Sequence, residues 1–65
     1  MTFEQMRGIA KERMEKQISY LSNDMITFIE ALGFLSAFKS VGLVTDVEYF
    51  DFWRRIYQLE MKKGV

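Results

Sequence analysis

Residues 45–63 read Thr-Asp-Val-Glu-Tyr-Phe-Asp-Phe-Trp-Arg-Arg-Ile-Tyr-Gln-Leu-Glu-Met-Lys-Lys. Thr45 stands three residues before Glu48. At that spacing a hydroxyl and a carboxylate each satisfy a backbone N–H that a helix start leaves unpaired. Asp46 and Glu48 fall in the first turn, and Lys62 and Lys63 in the last, where the helix dipole favours their charges. Gly64 follows as a stop. Capping, charge and periodicity agree on a helix over about 46–63.

On a wheel of this helix, Tyr49, Phe52, Ile56 and Leu59 form one apolar stripe. Phe50, Trp53 and Tyr57 form a second stripe beside it. The combined arc is roughly 200°, about twice that of an ordinary surface helix. Asp51, Arg54, Arg55, Gln58 and Lys62 fill the polar remainder.

Upstream, Gly42 reads as a left-handed stop for a preceding helix over about 25–41. Ser22, Asn23 and Asp24 precede that helix as a turn able to accept from its first N–H groups. Met25, Phe28, Ile29, Leu32 and Leu35 make one face; Ala31, Phe34, Phe38 and Val41 lie largely opposite. Gly33, Ala37 and Ser40 form a ridge of small residues where another helix can approach. Glu30 is the one carboxylate open to strain by burial, and a Glu so placed is more often an edge residue capped by a neighbouring Lys or Arg. The first helix spans about 3–21, with Thr2 and Gln5 as a capping box. Its stripe of Phe3, Met6, Ala10, Met14, Ile18 and Leu21 is narrow and Met-rich.

The run Gly42-Leu43-Val44-Thr45-Asp46-Val47-Glu48-Tyr49 resembles a Gly-Leu/Ile-Ile/Val-Thr-x-x-Glu-Phe/Tyr pattern. That pattern occurs in short helical domains of bacterial and phage proteins, SHOCT domains among them. The resemblance covers eight of 65 residues and implies a helix stop, a hydrophobic staple and a capped helix start in a bacterial or phage protein. The aromatics that follow the motif depart from those domains.

At 65 residues the chain is one domain, residues 1–65, of a size that buries only about 60% of the surface its unfolded chain exposes. It has no Cys and no His, so disulfides and the usual zinc sites are excluded. The commonest general base and the best nucleophile are also missing, and no Gly-rich phosphate loop is present. No enzyme activity, metal or cofactor is expected. The absence of Cys fits a cytoplasmic protein. Met25–Val41 is 17 residues long but carries Glu30 and Lys39, so it reads as a buried helix rather than a membrane span.

Nine basic residues balance nine acidic ones, leaving no net field for nucleic acid or a membrane. A helix-turn-helix reading is the alternative, with Arg54, Arg55, Lys62, Lys63, Arg7, Lys11, Arg13 and Lys16 touching phosphates. Its weakness is a recognition-helix start of Asp46, Val47, Glu48, Tyr49 and Phe50, a poor match to a phosphate-lined groove.

The expected fold is all-α, a compact three-helix bundle whose wide apolar faces can be completed by dimerisation. The expected function is a small non-enzymatic interaction module of the bacterial or phage regulator or inhibitor type. It self-associates as a homodimer, docks on a larger protein, or both. The anchors are Phe34, Phe38, Phe50, Trp53 and Tyr57, with Arg54 and Arg55 at the rim.

Overall fold

The computed structural model describes residues 1–63, in three helices: α1 (Phe3–Ser22), α2 (Phe28–Ser40) and α3 (Asp46–Lys63). The expected stop at Gly64 lies outside the described residues. Among the contacts that join α1 to α3 are Arg7 to Glu48 at 3.3 Å, Arg55 to Glu15 at 2.6 Å, and Lys63 to the Leu21 carbonyl at 2.7 Å. Their sequence separations are 41, 40 and 42, so the two helices run parallel in nearly constant register. Helix α2 returns between them, and each helix packs on both others.

Each helix begins with a capping box built on Thr. Gln5 donates its backbone N–H to Thr2 Oγ1 at 3.1 Å, and Thr2 donates to Gln5 Oε1 at 2.9 Å. Thr45 and Glu48 repeat the arrangement at 2.9 and 3.2 Å, as the sequence predicts. A third box, Thr27 with Glu30, starts α2.

That third box corrects the boundary of the second helix, which spans 28–40 rather than 25–41. Ser22, Asn23 and Asp24 do not cap α2; they finish α1. Asp24 sits in the left-handed region at φ 60. The Asp24 N–H donates to the Leu21 carbonyl at 3.1 Å and the Met25 N–H to the Tyr20 carbonyl at 2.8 Å, the bond pair of a Schellman stop. The second turn repeats this. Gly42 has φ 78, its N–H donates to the Lys39 carbonyl at 3.1 Å, and the Leu43 N–H donates to the Phe38 carbonyl at 2.9 Å. The two turns therefore share one pattern: a left-handed residue, two apolar residues, Thr, two more residues, then Glu. It reads Asp24-Met25-Ile26-Thr27-Phe28-Ile29-Glu30 and Gly42-Leu43-Val44-Thr45-Asp46-Val47-Glu48.

Glu30 is consequently an exposed edge residue, and it accepts from the Thr27 N–H and hydroxyl at 3.2 and 3.1 Å rather than being capped by a Lys or Arg. The later helix start places Glu30 in the first turn, where its charge is favourable.

The core is Met14, Ile18, Leu21, Ala31, Leu35, Val44, Phe52 and Ile56, with Ile26, Phe28, Leu32, Phe38, Tyr49 and Leu59 packed around it. Helix α1 supplies its centre with Met14 and Leu21, both fully buried. Phe3 and Met6, predicted for the same stripe, are exposed because they extend past the end of the cluster. Ile29 on α2 and Met25 in the turn before it are also exposed, and the core face of α2 is Phe28, Ala31, Leu32 and Leu35. Among the described residues nothing lies within 4 Å of a side chain placed at Gly33, so no helix packs closely on the small-residue ridge at that point.

Candidate functional site

The core stripe of α3 consists of Tyr49, Phe52, Ile56 and Leu59. At 100° per residue, Val47, Phe50, Arg54, Tyr57 and Met61 lie on the opposite side of the same helix. They recur at alternating spacings of three and four, the repeat that lines one edge of a helix for a partner helix. Val47 is 79% exposed, Phe50 67%, Met61 64% and Tyr57 41%, so four of the five are apolar or aromatic side chains in water. Arg54, the fifth, pairs with Asp51 one turn back at 3.0 Å and keeps most of its side chain in solvent.

One flank of this face is aromatic. Trp53 lies against Tyr57 with ring centroids 4.5 Å apart and planes tilted by 30°. Tyr57 meets the edge of Phe28, in the first turn of α2, at 5.3 Å and 81°. Phe28 is half-buried, so it anchors the outer pair to the core. Phe50 in turn meets Tyr49 edge to face at 6.0 Å and 78°. Edge and tilted contacts of this kind hold rings in fixed orientations.

The structure brings Phe50, Trp53 and Tyr57 together and places the other expected anchors elsewhere. Phe34 lines a shallow concavity of α2 with Glu30, Gly33 and Ala37. Phe38 is half-buried against the core and lines a groove facing α1, beside Met6, Ile9, Ala10 and Arg13. Arg55 does not stand at the rim. It reaches α1 and donates to both Glu15 oxygens at 2.7 and 2.6 Å. That bidentate hydrogen bond, more than the nearby charge, holds the Glu15 carboxyl below its usual range and raises the Arg55 guanidinium. Two members of the outward face, Val47 and Met61, were absent from the sequence-based site. Their signal was the spacing 47-50-54-57-61, interrupted by Arg54 at its middle.

The basic side chains proposed for phosphate contact are largely engaged within the chain. Arg7 and Lys11 converge on Glu48, Arg54 meets Asp51 at 3.0 Å, Arg55 meets Glu15 at 2.6 Å, and Lys63 meets Asp24 at 2.7 Å. The Glu48 carboxyl is held well below its usual range. The Lys11 ammonium first, then the Thr45 backbone N–H, bring it down to about 2. Among the described residues no cluster of acidic side chains is arranged to hold a metal, and no helix is long and apolar enough to cross a membrane.

Compared with models of protein families, with curated proteins and with solved structures, the chain finds no match. The run Gly42–Tyr49 is a helix stop followed directly by a capping box.

Proposed function

We propose that the protein is a small non-enzymatic interaction module that engages a protein partner through the outward face of α3 and regulates through that contact. The observation that supports this reading is a stripe of Val47, Phe50, Tyr57 and Met61 left in water opposite the core stripe of the same helix. Contiguous exposed apolar surface of this kind marks interaction sites. The Trp53–Tyr57–Phe28 stack gives the surface rigid aromatic anchors, which lose little conformational freedom on binding. Arg54 contributes orientation through its charge.

A photoreactive amino acid at Phe50 tests the reading in cells that naturally express the chain. Adducts are expected from Phe50, and none from Glu12 on the far side of α1. A Trp53→Ala, Tyr57→Ala chain that remains helical is expected to lose them. No adduct at Phe50 refutes the proposal.

A further inference from the structure

We infer that the partner of the outward α3 face is the same face of a second copy, packed antiparallel so that Phe50 meets the partner's Met61 and Arg54 meets the partner's Tyr57. The inference rests on reading that face as the interaction surface and adds its occupant and register.

The argument is one of charge. The stripe Val47, Phe50, Arg54, Tyr57, Met61 is flanked on one side by Asp46, Trp53 and Glu60 and on the other by Asp51 and Gln58. When two such helices pack, the stripes interdigitate and the flanking residues meet across the seam. A parallel pair sets Arg54 on the partner's Arg54 and Asp46 beside the partner's Asp51. Like charges are then juxtaposed at the centre and at the edge.

Antiparallel packing offers three registers one heptad apart. Pairing Phe50 with the partner's Arg54 sets Asp51 on the partner's Asp51 and Asp46 on the partner's Glu60. Pairing Tyr57 with the partner's Met61 sets the two Glu60 side chains together and leaves Arg54 beyond the described end of the partner helix. The remaining register pairs Arg54 with the partner's Tyr57. There Asp51 meets the partner's Gln58, and Glu60 meets the partner's Trp53. Arg54 lies over an aromatic ring, one turn from the partner's Glu60, where a cation–π contact and an ion pair are both available. Phe50 receives the Met61 thioether, a favourable sulfur–aromatic pair. It is the one register of the three without an opposed like-charge pair.

A single seam between two 18-residue helices is small beside a standard protein interface. The dimer is therefore a weak one, formed at micromolar or higher concentration.

Sedimentation of the purified chain from micromolar to millimolar concentration tests this, with circular dichroism confirming that each variant remains helical. The native chain is expected to dimerise. Arg54→Glu alone and Glu60→Arg alone are each expected to raise the dissociation constant at least about tenfold. The double variant R54E/E60R, which reverses the pair, is expected to return to within about threefold of the native value. A native chain that stays monomeric at millimolar concentration overturns the inference. So does a dimer indifferent to both single reversals, or one that the double variant does not restore. Adducts from Phe50 to other proteins alone, with a monomeric native chain, retire the second copy and keep the interaction reading. Absence of both retires the two together.

Discussion

Arg55 reaches from the middle of α3 to Glu15 on α1 and binds its carboxylate through two hydrogen bonds, at 2.6 and 2.7 Å. The guanidinium also lies 5.6 Å from the centre of the Phe52 ring, which belongs to the core. Parallel neighbours such as α1 and α3 gain no dipole attraction, so side chains must fix their register. Arg55→Lys preserves the charge and removes the planar fork. It is expected to cost about 0.5–1 kcal/mol in urea unfolding. Arg54→Lys, in an exposed pair within one helix, is expected to change stability by less than about 0.5 kcal/mol.

Glu48 makes stability depend on acid. Its carboxyl drops from 4.5 to about 2, chiefly through Lys11 and the Thr45 N–H. A depressed folded value means that the stabilisation is fully present above the unfolded value and fades as pH falls through the folded one. The window is therefore about pH 4.5 down to about 2. The loss is on the order of 2 kcal/mol after allowance for solvent screening of Arg7 and Lys11. Glu48→Gln retains an acceptor for the cap and removes the titration. Its stability is expected to be lower at neutral pH and flatter across that window, as read by denaturant midpoints at successive pH values.

The two turns share a left-handed residue, so removing a side chain there and adding one act in opposite directions. At Asp24 the left-handed backbone carries a side chain; at Gly42 it does not. Asp24→Gly is expected to gain about 0.5 kcal/mol, because the exposed ion pair to Lys63 contributes little. Gly42→Ala is expected to lose about 1–2 kcal/mol for the strained conformation alone, since the new methyl meets only Phe3 at ordinary contact distance. Thr27→Ala is expected to cost about 1 kcal/mol through the lost cap. Thermal unfolding of the three variants checks all three signs.

Phe38 and Phe50 separate packing from surface. Phe38→Ala removes a half-buried ring from the edge of the core and is expected to cost about 2–3 kcal/mol. Phe50→Ala removes a ring that is mostly in water and is expected to leave stability within about 0.5 kcal/mol. Chemical denaturation gives the contrast directly; equal losses would place Phe50 in the core.

Helix α3 was legible in the sequence because its cap, charges and stripe all agreed. Helix α2 was misplaced at its start because Ser22-Asn23-Asp24 carries the residue types of an N-cap. Asp and Asn also tolerate the left-handed conformation that ends a helix. Only the Thr27–Glu30 spacing distinguishes the two uses. Phe50, Trp53 and Tyr57 were recognisable as surplus to the core stripe. Phe38 was not distinguishable from them, because a helical wheel gives angles within one helix. Which angle faces a neighbour depends on how the helices pack: Phe38 turns toward α1, and Arg55 turns toward Glu15 rather than the rim. Val47 and Met61 were missed because Arg54 breaks their stripe and disguises its regularity.

Because α1 and α3 point the same way, Thr2 and Lys63 lie at opposite ends of a body about 42 Å long. An odd number of helices cannot bring its ends together. A fluorophore at each end should report a long distance rather than a short one, and proteins fused to the two ends would be held apart. Joining the two ends to permute the chain would require a linker of about a dozen extended residues.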